Sequence, residues 1–185
     1  SGPCMDAALA DIDGDGDADV VLAYEGAASI WLENDGSGGL TERALSAAVQ
    51  DNEDVGIADM NGDGSLDVVL VSEDLGGDNA LYLGDGAGGF TDASDWFPVT
   101  GTSNAVAITD LNADGRPDLI IGNKGQDAVL INTGTGLTDG TADWLPEDSS
   151  ATQDLELGDV DGDGDLDVVV GNEDDDALLL REGNA

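Results

Sequence analysis

The chain has 185 residues, enough for one domain or a short repeat array with a real core. Acidic residues number 42 against four basic ones, Arg43, Arg116, Lys124 and Arg181, and histidine is absent. That balance argues against nucleic acid and against an anionic membrane surface, both of which need a lysine and arginine footprint. It does not mean disorder, because 40% of residues are apolar and they cluster in short runs. No run reaches the roughly 18 apolar residues of a membrane span, so the expectation is a soluble chain without membrane insertion, any export leader already removed.

In chain order, the first element is an alternating segment through Ala7 and Leu9, which reads as a half-buried strand. It enters "DIDGDGDAD" at 11–19, five aspartates at every second position. Val20 to Leu22 then form a continuous apolar run, the mark of a buried strand. "SIWLEN" is a third strand, "DGSGG" a glycine turn, and Leu40-Thr41 the start of a fourth strand. The segment "TERALSAAVQ" at 41–50 is the one stretch with fair helix propensity.

This order returns three times. "DMNGDGSLD" at 59–67, "DLNADGRPD" at 110–118 and "DVDGDGDLD" at 159–167 follow at spacings of 48, 51 and 49 residues. Ile57 and Val55, Ile108 and Val106, and Leu157 and Leu155 precede them in the same alternation. "NALYLGD", "AVLINT" and "ALLLRE" repeat the third strand. Four antiparallel strands in roughly 50 residues is the size of a propeller blade. The expected fold is all-β, a single β-propeller-type domain over 1–185, with four blade-like four-stranded repeats at about 6–53, 54–103, 104–153 and 154–185. The last blade is expected to be incomplete, with only two residues after Gly183 in this sequence and an open edge expected on the strand at Ala177 to Leu180.

Five like charges within nine residues repel unless a cation neutralises them. Calcium takes six to eight oxygens, and carboxylates alternating along a glycine-hinged loop can wrap one ion. In the first loop Asp11, Asp13, Asp15 and Asp19 are the expected side-chain ligands and Asp17 offers its backbone carbonyl. The same five positions are Asp59, Asn61, Asp63, Ser65 and Asp67 in the second loop, and Asp110, Asn112, Asp114, Arg116 and Asp118 in the third. In the fourth they are Asp159, Asp161, Asp163, Asp165 and Asp167. Arg116 at the seventh position is why a carbonyl is expected there, since a guanidinium cannot ligate a cation. Up to four Ca2+ ions are expected. Magnesium demands stricter octahedral geometry, and zinc lacks its histidine and cysteine ligands. An EF-hand would need an acidic twelfth residue, but Leu22, Leu70, Ile121 and Val170 stand there, between strands.

The nonapeptide D-x-[DN]-x-D-G-x-x-D between two strands, followed by "NDGSGGLT" or "GDGAGGFT", resembles the FG-GAP or VCBS-type repeat of the integrin alpha-subunit propeller. The resemblance covers nearly the whole chain. It implies structural calcium in loops at one end of the blades and an extracellular or cell-surface setting. The chain departs from it at Ala113, which replaces a loop glycine, and in having four repeats where the integrin head has seven blades.

Without histidine there is no ordinary catalytic triad or imidazole base, and no carboxylate pair is singled out, so no enzyme is expected. Trp96 and Trp144, 48 residues apart, are expected to pack between blades, and Trp31 and Tyr82 to be core. The expected function is an extracellular calcium-binding propeller module in adhesion or protein binding. The alternative is a structural subunit that self-assembles head to tail into a fibre or ring. Cys4, the one cysteine, can form no internal disulfide and is free or joined to another chain.

Overall fold

The computed structural model describes residues 2–46, 48–74, 79–98, 101–164, 166–173 and 176–179. Strand β1 (Cys4–Ala10) enters the first acidic loop and β2 (Asp19–Ala27) leaves it antiparallel, Ala10 facing Asp19. β3 (Ile30–Asn34) and β4 (Leu40–Ala44) complete a meander. The pattern recurs as β5 (Gln50–Ala58), β6 (Asp67–Ser72), β7 (Ala80–Gly84) and β8 (Phe90–Asp92). It recurs again as β9 (Ser103–Thr109), β10 (Asp118–Asn123), β11 (Ala128–Asn132) and β12 (Leu137–Asp139). In the fourth repeat β13 (Thr152–Gly158), β14 (Asp167–Asn172) and β15 (Ala177–Leu179) are described. Leu180 and the chain end after Gly183 lie outside the described residues.

The long β2 outruns β1 and pairs through Glu25 and Ala27 with Asp51 and Gln50 of β5. This joins the first two meanders into one curled sheet. Repeats three and four form separate sheets, linked by a bridge between Lys124 and Ala151.

The apolar runs of β6 and β10 are buried throughout because both of their faces are covered. Val68 and Leu70 face repeat one with Val21, Ala23 and Trp31. Val69 and Val71 face repeat three, where they meet Leu119, Ile121 and Leu130. A third cluster joins Ile120 and Val129 to Val168 and Val170. The core is therefore three inter-repeat layers, and each fully buried Val, Leu or Ile contributes about 1.5–3 kcal/mol. Gly56 on β5 is required by this stacking, since a Cβ there would lie 2.5 Å from Ile108 Cδ1 on β9.

Trp31 and Tyr82 are core, as expected, and Trp96 and Trp144 pack on the second and third inter-repeat clusters. The helix propensity of 41–50 is overridden. Leu40–Ala44 pairs residue for residue with β3, and the helical turns fall at the tryptophans instead. These are a 3-10 turn (Ser94–Trp96) and α1 (Thr141–Trp144), started by Asp92 and Asp139 accepting the N–H groups of Ser94 and Thr141. At the two ends of the array, the outward faces of repeats one and four stay exposed at Leu9, Val169 and Leu178.

Candidate metal centre

Each acidic loop is closed by its ninth residue. Asp19, Asp67, Asp118 and Asp167 are fully buried at the start of the second strand. One carboxylate oxygen accepts the N–H of the loop's second residue: Ile12 at 2.9 Å, Met60 at 2.7 Å, Leu111 at 3.0 Å and Val160 at 2.9 Å. The other accepts an N–H from the end of the third strand: Asn34 at 2.8 Å, Gly84 at 2.8 Å and Asn132 at 2.7 Å. In the first three loops the ninth aspartate thus ties loop, second strand and third strand together whether or not a cation is bound. Burial raises the carboxyls of Asp67 and Asp118 above the usual range, against these N–H bonds.

The first, third and fifth residues build the bowl. Asp11, Asp59, Asp110 and Asp159 each accept the N–H of the loop's sixth residue, at 3.1, 2.8, 2.8 and 3.1 Å. Asp13, Asn61, Asn112 and Asp161 each accept the N–H of the fifth. Asp15, Asp63 and Asp114 accept that of the seventh, Asp17, Ser65 and Arg116. The turns need positive φ at the fourth and sixth positions, which glycine supplies at Gly14, Gly62 and Gly162. Ala113 is the one described non-glycine residue with positive φ, at 59°. The third loop therefore keeps its shape at the expense of strain.

These bonds turn the remaining oxygens inward. Ligand atoms of Asp11, Asp13 and Asp15 all lie within 4.8 Å of one another, as do those of Asp159, Asp161 and Asp167. Asp11 Oδ1 is buried with no hydrogen-bond donor, an acceptor that only a cation or an ordered water could satisfy. Burial, joined by the charges of Asp15, Asp19 and Glu33, pushes Asp13 up against the Asp15 N–H bond. An all-oxygen, carboxylate-rich donor set fits a hard cation.

Loops two and three satisfy their carboxylates differently. In the second, the Ser65 N–H and the Asn61 amide hold Asp63 below the usual carboxylate range. In the third, the Arg116 guanidinium is paired with Asp114 and its Nε donates to the Asn132 carbonyl at 2.9 Å. Asp165 of the fourth loop lies outside the described residues. The glycine-turn aspartates Asp35 and Asp85 are engaged locally. Asp35 Oδ1 accepts from Ser37 and Gly39, and Asp85 Oδ1 from Ala87 and Gly89.

Matches to the FG-GAP-like repeat model cover residues 11–70, 59–121 and 110–170, each running from one acidic loop through the next. The chain belongs to the FG-GAP-like repeat family. No curated protein matches it. Among solved structures this FG-GAP-like chain is similar to BBS1N in complex with ARL6DN, with TM-score 0.60 and 12% identity over 94% of this chain and 51% of that one. It is also similar to an Agrocybe aegerita lectin that recognises non-reducing terminal N-acetylglucosamine, with TM-score 0.56 and 21% identity over 88% of this chain and 45% of that one. The chain spans about half the length of each, and identities this low show the fold alone.

Two features had no signal in the motif. One is a buried polar clasp between repeats. Asn52 Nδ2 donates to Ser29 Oγ at 3.1 Å, Asn79 Nδ2 to Ser103 Oγ at 3.0 Å, and Thr152 Oγ1 to Asp127 Oδ1 at 2.9 Å. The other is a carboxyl pair on the first strands, Asp6 and Asp54, whose oxygens accept the N–H groups of Val55 and Val106. Burial, with the neighbouring Asp6 adding to it, pushes Asp54 up to about 7. A further acidic group, Asp51, Glu53 and Glu73, is partly neutralised by Lys124 on Glu73.

Proposed function

We propose that this chain is a calcium-stabilised arc of β-propeller blades that serves as an extracellular binding or adhesion module. The observation that carries the reading is the convergence of Asp11, Asp13 and Asp15 around a buried, unsatisfied Asp11 Oδ1. Asp11, Asp13, Asp15 and Asp19 would hold the ion in the first loop, and Asp159, Asp161, Asp163 and Asp167 in the fourth. The ion would cancel the repulsion within each bowl and lock the turn that joins first and second strands. Its role is rigidity, and millimolar extracellular calcium is enough to fill sites of modest affinity. The family and the two propeller-like neighbours support a recognition role, one of those neighbours being in complex with another protein and the other recognising a sugar.

Isothermal titration of the chelated chain with calcium and with magnesium tests the reading, paired with thermal melts in each ion. Calcium binding with a raised melting temperature, well beyond the effect of magnesium, is expected. A melting curve that is the same in calcium and in chelator would overturn it.

A further inference from the structure

The glycine turn of repeat two, Asp85 to Gly89, sits on the first acidic loop: a Cβ at Gly14 would lie 3.1 Å from the Gly86 carbonyl oxygen. Between that turn and the outer strands of repeat one opens a cleft of about 390 Å³, whose walls include Asp13, Trp31, Glu33, Arg43, Asp85 and Gly88. That volume falls within the range of small-ligand sites, about 300–1,000 Å³. The charged walls are particular to this junction. Glu33 follows Trp31 on the same face of β3, and Arg43 pairs with Trp31 from β4. At the same positions, repeats two and three carry Leu83 and Ile131, packed on the inter-repeat clusters, and Ala93 and Gly140, whose N–H groups bond the carbonyls of Leu81 and Val129.

Unused hydrogen-bonding capacity of both kinds meets in the cleft. Trp31 is 3% exposed, and its Nε1 is buried with no acceptor. Nε1 is on the same edge of the indole as Cζ2, which a Cβ at Gly88 would approach to 2.6 Å, so the unpaired donor borders the Gly88 wall. Glu33 Oε2 takes the Arg43 Nε at 2.6 Å and the Arg43 Nη2 at 2.5 Å, which leaves its other oxygen open. Asp85 Oδ1 accepts the N–H groups of Ala87 and Gly89, both at 2.9 Å, and Oδ2 is left. A donor that lacks an acceptor thus stands beside carboxylate oxygens that lack donors.

We propose that this cleft binds one ring of a neutral saccharide. A hydroxyl group both donates and accepts, so adjacent sugar hydroxyls can donate to Glu33 and Asp85 while a sugar oxygen accepts from Trp31 and from the Arg43 N–H groups not spent on Glu33. Other ligand classes leave part of the cleft unserved. An ammonium group has no lone pair for the Trp31 N–H and would face the Arg43 guanidinium. An anion would face the carboxylates of Asp13, Glu33 and Asp85. The Trp31 N–H is covered, so a sugar oxygen reaches it as the 85–89 turn moves slightly aside. The site goes beyond the calcium reading and does not depend on it, although Asp13 belongs both to the cleft wall and to the first bowl.

Proton–nitrogen correlation NMR of the whole chain in calcium reads the site directly, since the three tryptophans, Trp31, Trp96 and Trp144, give three indole N–H signals. The probes are the methyl glycosides of glucose, galactose, mannose and N-acetylglucosamine at millimolar concentration, with glucosamine and glucuronate as charged counterparts. At least one neutral glycoside is expected to shift the Trp31 signal, to leave those of Trp96 and Trp144 in place, and to bind about tenfold more tightly than either charged sugar. Glu33→Leu combined with Arg43→Ala gives repeat one the residues of repeat two and is expected to abolish the shift. Both side chains are partly exposed, and a thermal melt establishes that the variant is folded. No Trp31 shift with any neutral glycoside would overturn the proposal. Tighter binding of glucosamine or glucuronate would overturn the neutral class, and an undiminished shift in the folded variant would overturn the location.

Discussion

The first and third acidic loops share a nine-residue frame and differ in what opposes their charge. In the first, Asp11, Asp13 and Asp15 converge with no basic side chain among them, and Asp11 Oδ1 has no donor. In the third, Asn112 removes one charge, Arg116 pairs with Asp114, and Ala113 holds a left-handed turn that glycine holds elsewhere. The same backbone can thus be completed by an external cation or, in part, by a guanidinium carried on the loop itself. A loop whose carboxylates converge without a basic partner and a partly self-neutralised one therefore sit in one array without a change of fold.

The largest expected effect is chelation. Ligand held at a thousandfold excess over its dissociation constant stabilises by about 4 kcal/mol per site, so loops one and four together would contribute about 8 kcal/mol. Chelated and calcium-saturated protein should differ by tens of degrees in melting temperature. Asp15→Ala should remove a large part of that difference, whereas Asp114→Ala should leave most of it intact. Equal losses from the two substitutions would erase the distinction between the loops.

Next comes the shared frame. Removing the Asp118 carboxylate leaves the Leu111 and Asn132 N–H groups without their acceptor. Hydrogen bonds to charged groups contribute about 1.5–3 kcal/mol each, so Asp118→Ala should cost about 3–6 kcal/mol. The loss should appear in chelator as well as in calcium, because the anchor acts without metal. Urea unfolding in both conditions measures it, and a loss confined to calcium would make the ninth residue a ligand only.

A third effect separates the early junctions from the late ones. Asp6 and Asp54 lie together on β1 and β5, whereas Ala105 occupies the matching place on β9. Asp54 keeps its proton up to about 7 in the folded chain, above the ordinary carboxylate value. The folded state therefore binds that proton more tightly than the unfolded state does. The contribution is fully present below about pH 4 and is lost as pH rises through 7. A shift of three units corresponds to at most about 4 kcal/mol. Asp54→Asn, whose amide can donate to Asp6, should flatten this fall between pH 5 and 8. Melts of both proteins across that range in saturating calcium compare them, and parallel curves would exclude the pair as the cause.

How far the sequence reveals all this depends on how local each feature is. The loops, their flanking strands and the buried runs are legible because nine residues with fixed glycines encode a turn, and alternation encodes a strand. The anchoring role of Asp19 and its equivalents is hidden, because a metal ligand and a buried acceptor call for the same side chain. The clasp is hidden for the opposite reason, since Ser29, Asn79 and Asp127 perform one task with three chemistries. Asp6 and Asp54 meet only because the first strands of successive repeats lie side by side. The short helical turns at Trp96 and Trp144 combine a local signal, Asp92 and Asp139 accepting the N–H groups of Ser94 and Thr141, with packing on the inter-repeat layers that intrinsic propensity does not show.

A smaller effect tests the guanidinium directly. Arg116→Ser gives the third loop the residue that the second carries, Ser65, and frees Asp114 for a cation. Calcium affinity of that loop should rise several-fold, because affinity follows ligand charge. Since Arg116 and Asp114 are partly exposed, the ion pair lost contributes no more than about 1 kcal/mol, and stability in chelator should hardly change. Titration calorimetry showing weaker calcium binding in Arg116→Ser would mean that the arginine supports the site instead of occupying its ligand.

The smallest expected change comes from the turn itself. At φ 59° Ala113 adopts a conformation that disfavours a Cβ, whereas Gly14, Gly62 and Gly162 adopt φ values of 75°, 76° and 83° without that penalty. Relief of left-handed strain is worth about 1–2 kcal/mol. Glycine also makes the unfolded chain more mobile, which takes back about 0.4–1 kcal/mol. Ala113→Gly should therefore stabilise the chain by about 0.5–1 kcal/mol, a gain of a few degrees that is present in chelator. A glycine substitution elsewhere on an exposed turn with negative φ should do the reverse. If Ala113→Gly destabilised the chelated chain in urea unfolding, the turn would be held by the alanine methyl group and not strained by it, and the third loop would differ from the first through Arg116 and Asn112 alone.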